Sequence, residues 1–382
     1  MRLAVYCDYS YRVEAGRLYA ELPVSLFLSE LAPHCERLVM AGRLDPRPGR
    51  YPYAVGDVDF APLLYYASGA KLGSLLRVMP SGIVRFWRLL DGVDVAWVLG
   101  PTPLALVFAI LTLLRRRRLV LGVRQDTVQL FRHRYPDKRL LRWGAVILEG
   151  AFRALARRVP VVVVGPGVAR RYRRARALHT VYVSLLSETD ILAFDDHSRS
   201  YDGPELHMLS VGRLDPEKNP LLLADVFAQA LRTDPRWRLD VCGKGPLSSA
   251  LAQRLEELGV VDCATLHGHV PIDGGLLDLY RNSHAFIHVS LTEGVPAVLL
   301  EAFATRLPVV ATAVGGVPDL VRDCGLLIRP RDAGAAVDAV ETLISNPELR
   351  GELVERAVRK VLTLTREAEC ARLAGFLAGA DR

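Results

Sequence analysis

Short β-branched segments alternate with longer helical patterns along the whole of this chain. The plainest segment is VPVVVVGPG at residues 159–167, a near-continuous valine run of the kind that forms a parallel strand covered on both faces. Similar runs at 93–100, 118–124, 207–213 and 307–316 are separated by helical patterns. Strands that alternate with helices predict doubly wound parallel sheets. The chain is therefore expected to be an α/β protein.

Length and internal rhythm predict two domains. A chain of 382 residues is long for one hydrophobic core. The polar segment SETDILAFDDHSRSYDGPEL at 187–206, which contains Asp195 and Asp196, is the predicted linker. We expect a Rossmann-like domain at 1–195, a second at 196–365, and a helix at 366–382 that packs back toward the first domain. Ligands of such sheets bind beyond the carboxyl ends of the strands, which places the expected site in a cleft between the sheets.

The charge is divided unevenly between the two halves. Residues 1–199 hold 30 Lys and Arg against 17 Asp and Glu, whereas residues 200–382 hold 19 against 25. A basic first half favours an anionic partner, either a phospholipid surface or a phosphorylated acceptor, and no nucleic acid is expected. Arginine codon bias is the alternative, since only 5 of the 49 basic residues are lysine. That bias explains arginine over lysine but not the difference in sign.

The tract LTLLRRRRLV contains the sharpest cluster of positive charge. Arg115–Arg118 end an apolar helical pattern, where cations also complement the helix dipole. Together with RRYRRAR at 170–176, the tract favours contact with an anionic membrane. The longest apolar run, at 104–114, has 11 residues, and a membrane span needs about 20. With six scattered cysteines typical of a reducing compartment, the expectation is a cytoplasmic protein, peripheral on the inner face of a membrane.

Two glycine-containing loops follow predicted strands in the second half. SVGRLDPEKNP at 210–220 places Arg213 and Lys218 in one loop. The planar guanidinium of arginine beside the mobile ammonium of lysine suits the binding of a diphosphate. CGKGP at 242–246 carries Gly243 and Gly245, which allow backbone to approach a ligand closely. A surface turn with two incidental cations, and an ordinary tight turn, are the alternatives for these loops taken singly.

The segment SLTEGVPAVLLEAFA carries two carboxylates at an informative spacing. Pro296 marks a helix start, so that backbone N–H groups near 295–298 are available to a phosphate. Glu293 precedes this helix and Glu301 lies about five residues into it, roughly 7–8 Å along the axis. Carboxylates accept hydrogen bonds from vicinal hydroxyls, so the pair suits the two ends of a sugar nucleotide. For Glu301, a capping or salt-bridged helix residue is the alternative.

These motifs together resemble those of a known enzyme family. SVGRLDPEKNP, CGKGP, LHGHV, SLTEGVPAVLLEAFA and LPVVATAVGGVPDLV, in this order over about residues 205–330, are similar to the motifs of retaining nucleotide-sugar glycosyltransferases of family 4. The resemblance implies the GT-B fold, in which two Rossmann-like domains face each other across a cleft. The first half is similar only in its general pattern.

The resemblance also implies a role for each matching position. The catalytic positions are Arg213, Lys218 and Glu293, the first two stabilising the diphosphate in place of a metal ion. Donor-binding positions are Gly212, Gly243, Gly245, Gly268, His269, Val270, Gly294, Val295, Pro296, Ala297 and Glu301, with Glu301 on the ribose and 268–270 at the nucleobase. Acceptor-side positions are Tyr9, Tyr11, Gly16, Arg124, Gln125 and Asp126.

Three positions depart from the family pattern. The loop SYRVEAGR offers a single Gly16 where many members have a glycine pair. Gln125 stands beside Asp126 where many members have histidine, and glutamine cannot act as a base. Arg306 stands where glycine is common. The first two departures affect the acceptor side of the site.

The resemblance implies transfer of a sugar from a nucleoside diphosphate sugar to an acceptor hydroxyl with retention, no cofactor and no metal. A front-face reaction, in which the leaving phosphate takes the acceptor proton, is expected over double displacement. A sugar-nucleotide epimerase on the same fold is one alternative and requires further acid/base groups. The other is a sugar-nucleotide-binding partner subunit without turnover, which Gln125 favours and the intact Arg213 and Lys218 oppose.

Overall fold

The computed structural model describes residues 1–66, 72–193 and 199–379. Within these ranges the chain divides into two compact units. The first unit comprises Met1–Phe131, Tyr135–Leu185 and Arg366–Arg382, and the second comprises Arg132–Arg134 and Leu186–Thr365. Asp195 and Asp196 of the predicted linker, and with them the predicted boundary between residues 195 and 196, lie outside the described residues.

The first half of the chain forms a sheet with helices packed on it. The strands are β1 (Arg2–Glu14), β2 (Arg17–Ala20), β3 (Arg37–Leu44), β4 (Tyr53–Ala54), β5 (Asp59–Leu64), β6 (Val95–Gly100), β7 (Arg118–Val123), β8 (Pro160–Val164) and β9 (Ala177–Val181). The helices are α1 (Val24–Ser29), α2 (Leu72–Leu89), α3 (Pro103–Leu114), α4 (Thr127–Arg134), α5 (Arg139–Ala156) and α6 (Gly165–Arg171).

The sheet of the first unit is mostly parallel. Its parallel strands run in the order β5-β3-β1-β6-β7-β8-β9, and β2 and β4 add antiparallel pairs beyond the end of β1. In β8 the four valines are buried, each stabilising the fold by roughly 1.5–3 kcal/mol. The predicted parallel strand, covered on both faces, is confirmed.

Helices cover both faces of this sheet because residues alternate in direction along each strand. On one face Val98 and Val163 pack with α2, α3 and α5, where the rings of Phe86 and Phe108 stack with centroids 4.1 Å apart. On the other face Trp97 lines a pocket together with residues of α1. No helix in the described ranges is both long and apolar enough to cross a membrane.

Two expectations for the first unit are wrong in detail. Residues 9–17 are not a loop, because β1 continues to Glu14 through an irregularity between Tyr6 and Ser10 and then turns at Gly16 into β2. The segment AELPVSLFLSELAPHC at 20–35 has a helix-like pattern, but the structure has only the short α1 and a 3-10 turn at Ala32–His34 there. The antiparallel hairpin of β1 and β2 was not predicted from the sequence.

The second half of the chain forms a smaller sheet with its own helices. The strands are β10 (Leu206–Val211), β11 (Trp237–Cys242), β12 (Ala264–Gly268), β13 (Ala285–His288), β14 (Val309–Thr312) and β15 (Leu326–Ile328). The helices are α7 (Glu188–Ala193), α8 (Pro220–Thr233), α9 (Ser248–Glu257), α10 (Leu276–Asn282), α11 (Ala297–Ala304), α12 (Val317–Val321), α13 (Ala333–Ser345) and α14 (Pro347–Leu362).

All strand pairs in this second sheet are parallel, in the order β12-β11-β10-β13-β14-β15. This is the 3-2-1-4-5-6 order of a Rossmann-like domain. The order reverses between β10 and β13, where two neighbouring strands send their connections in opposite directions and leave a crevice at the carboxyl edge. The predicted fold of two Rossmann-like parallel-sheet domains is confirmed.

The final described helix, α15 (Arg366–Ala378), belongs to the first unit. The backbone N–H of Tyr182 donates to Glu369 Oε2 at 3.0 Å, and Arg118 Nη2 donates to the carbonyl of Phe376 at 3.1 Å. Each of these bonds joins a side chain of one segment to the backbone of another that is distant in sequence. They attach the end of the described chain to the first unit.

Candidate functional site

The loops after β10 and β11 are joined by backbone hydrogen bonds. Gly212 N–H donates to the carbonyl of Cys242 at 2.9 Å, and Leu214 N–H donates to that of Lys244 at 3.1 Å. A methyl group on Gly243 would lie 1.8 Å from the Gly212 carbonyl oxygen, so a side chain cannot fit there. The glycines of the loop after β11 were predicted to let the backbone approach a ligand. In the structure, Gly243 lets this loop pack against the loop after β10.

Backbone hydrogen bonds also connect these two loops to the neighbouring loops of the second unit. Gly243 N–H donates to the carbonyl of Gly268 at 2.6 Å, and Leu291 N–H donates to that of Glu217 at 2.8 Å. A methyl on Gly315 would lie 1.9 Å from the carbonyl oxygen of Glu293. The loops after β10 to β14 therefore form one connected surface at the carboxyl edge.

Lys218 and Glu293 meet where the strand order reverses. Lys218 Nζ donates to Glu293 Oε1, and His288 Nε2 lies 3.1 Å from the same oxygen. Burial alone would raise the pKa of Glu293, but the charge of Lys218 and the contact with His288 hold it well below its usual range. Glu293 is thus an ionised carboxylate at neutral pH.

Arg213 is held by two buried carboxylates on its own loop. Its guanidinium pairs with Asp215, and its Nη2 lies 3.5 Å from Glu217 Oε1. Asp215 and Glu217 are buried, whereas half of the Arg213 side chain is exposed. The carboxylates therefore fix one side of the guanidinium and leave its outer donors accessible.

Glu301 is buried in α11 with one hydroxyl partner. It is the fifth residue of that helix, as predicted, and Tyr280 Oη donates to its Oε2 at 2.9 Å. Burial raises the pKa of Glu301 to about 7, and the Tyr280 hydrogen bond only partly offsets that rise. No salt bridge to Glu301 occurs in the described residues, so the salt-bridged alternative is not what the structure has.

The ends of α11 are shaped by two unusual backbone positions. Pro296 is the N-cap, directly before Ala297, and Gly316 N–H donates to the carbonyl of Gly294 at 2.9 Å. Beyond the other end, Arg306 adopts a left-handed conformation with φ of +55°. Glycine is the residue best suited to that place after a helix, which explains the glycine expected there.

The turn predicted to contact the nucleobase follows β12, and the strand residue before it, His267, contacts Asp240 of β11. His267 Nε2 lies 2.6 Å from Asp240 Oδ1, and His207 Nδ1 lies 2.8 Å from Asp240 Oδ2. Gly268, with φ of +69°, then turns the chain into the exposed His269 and the half-buried Val270. Burial and the nearby charge of Lys244 lower the pKa of His269, which favours the neutral ring at this turn.

On the first unit, Tyr9 and Arg124 are brought together. The Arg124 guanidinium lies over the Tyr9 ring, 4.8 Å from its centroid. Arg124 also borders an apolar pocket under α1 that is partly open to solvent. Trp97 lines this pocket with a buried indole N–H that lacks a hydrogen-bond partner within the described part of the chain.

Tyr11 is not placed as predicted, and Gly16 lies in a hairpin turn. Tyr11 is fully buried, and its hydroxyl contacts Cys7 Sγ at 2.9 Å and Ser25 Oγ at 3.1 Å. Gly16 is a hairpin-turn residue with φ of +75°, and a methyl group in place of its hydrogen would meet no atom within 4 Å. Tyr11 is therefore a core residue, and Gly16 serves the turn.

Asp126 has a structural part in the first unit. Its Oδ1 accepts from Gln129 N–H at 3.0 Å as the N-cap of α4, and its Oδ2 pairs with Arg171. Both oxygens thus have partners within the first unit, and the acceptor-side position of Asp126 stays a prediction. Gln125 directly precedes this cap.

Sequence reasoning missed several residues that shape these sites. In the second unit they are His288, Tyr280, Gly315, Gly316 and Asp240. In the first unit Asp8 is half-buried, pairs with Arg43 at 3.1 Å and accepts from Tyr66 Oη at 2.5 Å. Burial raises the pKa of Asp8 despite these partners. Only the double glycine of AVGGVPD gave a signal in the sequence.

The strand order and the joined loops define the second unit as a Rossmann-like domain with its crevice between β10 and β13. Residues 195–360 match the family model described as glycosyl transferases group 1. A D-inositol 3-phosphate glycosyltransferase of Frankia alni is 36% identical over 162 residues, 40% of each chain. A sulfoquinovosyl transferase of Arabidopsis thaliana is 30% identical over 158 residues, 40% of this chain and 29% of that protein. The chain thus aligns with less than half the length of these relatives.

Solved structures are similar over the whole chain. Sucrose-phosphate synthase from Thermosynechococcus elongatus has a TM-score of 0.75 at 19% identity. The match covers 100% of this chain and 99% of the synthase chain. HepE of Anabaena, solved with UDP and glucose, has a TM-score of 0.69 at 17% identity and covers 99% of this chain and 100% of its own. These likenesses show the fold. Residues 195–360 match the glycosyl transferases group 1, and the predicted resemblance to GT-B glycosyltransferases is confirmed.

Proposed function

We propose that this protein is a retaining glycosyltransferase that uses a nucleoside diphosphate sugar and needs no metal ion, in glycan, glycolipid or glycoside biosynthesis. The observation that carries the proposal is the pair of Lys218 and Glu293, which joins the loops after β10 and β13 where the strand order reverses. Glu301 lies in the helix that follows. Two cations flanked by two carboxylates suit a diphosphate between two hydroxyl-bearing rings.

The donor roles follow from the partners of each group. Both contacts of Glu293 fall on Oε1, so we assign Oε2 to the hydroxyls of the transferred sugar. Glu301 accepts from the ribose, beside its bond from Tyr280. Arg213 and Lys218 bind the diphosphate, and the turn at 268–270 meets the nucleobase. Structures of HepE with UDP-glucose support this choice of donor class by analogy.

The reaction we propose is a front-face displacement. The bond from the acceptor oxygen to the anomeric carbon forms while the bond from that carbon to the β-phosphate oxygen breaks. The acceptor proton passes to that phosphate oxygen. Arg213 and Lys218 stabilise the charge that develops on the leaving diphosphate. Glu293 is ionised yet already bound to Lys218, which suits orientation of the sugar better than nucleophilic attack.

The proposal assigns the donor to residues 196–365 and the acceptor to residues 1–195. The net positive charge of the first half favours an anionic acceptor or membrane surface, and the proposed location is the cytoplasm. On this side, Tyr9, Arg124 and the pocket beside Trp97 are the contacts we assign to the acceptor. Gln125 lies next to them in sequence.

The test is a panel of nucleotide sugars incubated with the purified full chain, without acceptor and with a chelator present. Slow release of nucleoside diphosphate from one donor is the expected result. The anomeric configuration of the product, read by NMR once an acceptor is found, tests retention. Binding without release would instead indicate the partner subunit. Conversion of the donor to an epimer would indicate the epimerase.

A further inference from the structure

Three neighbouring helices of the first unit expose apolar side chains on their outer sides. Helix α3 packs between α2 and α5. Of the fourteen large apolar side chains that are exposed in the described part of the chain, eight lie on these three helices. Such a concentration on one layer marks a surface that something covers.

Helix α3 is apolar on every side. Its twelve residues contain no charged side chain, a composition typical of a helix buried all round. Phe108 and Thr112 face the core, yet Ile110, Leu113 and Leu114 are exposed, Leu114 to 65%. The outer side of α3 therefore lacks the polar residues that water would favour.

Helix α5 has a second apolar stripe opposite its core side. Phe152 and Ala156 are buried, whereas Leu140 is 88% exposed and Trp143 and Ile147 are each 67% exposed. Their spacing of three and four residues places them on one side of the helix. We name Ile110, Leu113, Leu114, Leu140, Trp143 and Ile147 the outer apolar face.

The charges around the outer apolar face are almost all positive. The charged residues on α2, α3 and α5 are Arg77, Arg85, Arg88, Arg139, Arg142, Arg153 and Glu149, of which the sole carboxylate, Glu149, is buried. The tract Arg115–Arg118 follows α3, with Asp91 paired to Arg115 at 3.0 Å. Arginine stems cover apolar surface while their guanidinium groups pair with phosphates.

We propose that the outer apolar face binds the surface of a bilayer that contains anionic phospholipids. Tryptophan and aliphatic side chains enter the headgroup boundary, and the surrounding arginines pair with lipid phosphates. A symmetric second copy is a poorer occupant, because a two-fold contact of this face would bring arginines against arginines. This inference stands on the first unit alone and does not depend on the donor chemistry.

The test is sedimentation of the full chain with phosphatidylcholine vesicles, with and without roughly one third phosphatidylglycerol. We expect binding to the anionic vesicles that weakens as salt is added. The Trp143→Glu/Ile147→Glu variant should bind at least about tenfold more weakly. Leu192→Glu, at a side chain 64% exposed in the second unit, is the matched control and should bind like the unmodified chain.

A fluorescence measurement supports the same test without adding charge. Trp143 emission should shift to shorter wavelength on anionic vesicles, and Trp143→Phe should remove that shift. Thermal melts of each variant without vesicles exclude unfolding as the cause. The inference is overturned if the unmodified chain does not sediment, or if the glutamate variant sediments equally. It is also overturned if the face instead forms a dimer that the variant abolishes. Donor hydrolysis, measured in parallel, reports separately on the proposed function.

Discussion

Each sheet has loops at its carboxyl edge, and different interactions hold these loops in the two units. In the second unit, loops from neighbouring strands are bonded backbone to backbone, and Gly243 and Gly315 have no room for a side chain. In the first unit the same edge is held by side-chain pairs: Arg124 with Tyr9, Asp126 with Arg171, and Asp8 with Arg43. The second unit's edge is thus held by backbone bonds together with the pair of Lys218 and Glu293, whereas the first unit's edge is held by side-chain pairs.

The edge of the second unit suits a binding partner that stays the same among related proteins. The edge of the first unit suits a binding partner that varies among them. A backbone surface keeps its shape when surface residues change, because its hydrogen bonds do not depend on side-chain identity. Side-chain pairs can be exchanged for others by substitution. The family model accordingly matches residues 195–360, within the half that holds the backbone-bonded edge.

The largest expected effect on stability comes from separating Lys218 and Glu293. Lys218→Met leaves a buried carboxylate with His288 as its remaining contact, and we expect the free energy of unfolding to fall by about 3–5 kcal/mol. The comparison is Arg171→Met in the first unit, which leaves Asp126 its helix-cap bond and should cost about 1 kcal/mol. Urea denaturation measures both.

A second substitution serves as the control for Lys218→Met. The double variant Lys218→Met/Glu293→Gln removes the unpaired charge and should recover most of the lost stability. Equal losses in the single and double variants would show that the charge pair is not what holds these two loops.

Glu301 should give the second unit a stability that depends on pH. Burial raises its folded pKa from 4.5 to about 7, so the folded state holds a proton that the unfolded state releases between these values. Stability from this group is complete below pH 4.5 and is lost as pH rises to about 7, by roughly 3 kcal/mol. Denaturant unfolding of Glu301→Gln across this range should show a smaller fall than the unmodified chain. An identical pH profile would contradict the assignment.

The glycine substitutions contrast the two edges directly. Gly243→Ala places a methyl 1.8 Å from a carbonyl oxygen, and we expect a loss of about 2–3 kcal/mol. Gly16→Ala in the first unit meets no atom within 4 Å but keeps φ at +75°, so only backbone strain of about 1 kcal/mol is expected. Thermal unfolding ranks the two, and equal losses would remove the contrast between the edges.

The smallest expected effect is a gain. Arg306 has φ of +55° beyond the end of α11, and Arg306→Gly relieves that strain. After allowance for the greater freedom of glycine in the unfolded chain, a gain of about 0.5–1 kcal/mol remains. A loss of stability in thermal melts would mean that the arginine side chain contributes more than its backbone costs.

The sequence predicted backbone features of this protein better than side-chain partners. Glycines, prolines and valine runs report local backbone geometry, so the five strand segments named from the sequence and the start of α11 were predicted closely. Glu301 was placed in its helix correctly, but Tyr280, 21 residues away, was not foreseen. Tyr11 was misjudged because its neighbours in sequence are exposed or polar, while its hydroxyl bonds to Ser25 across the core. Side-chain partners distant in sequence carry no local signal.

The central claim is that the loop after β10 stabilises a departing diphosphate. Its most direct test is nucleotide release from the preferred donor by Arg213→Ala, beside Arg254→Ala as a control. Both arginines are partly exposed and paired with a carboxylate, but Arg254 pairs with Asp225, between helices α9 and α8. We expect release by Arg213→Ala to fall by about 100- to 1000-fold while Arg254→Ala is unchanged. Release by Arg213→Ala within about twofold of the unmodified rate would contradict the account.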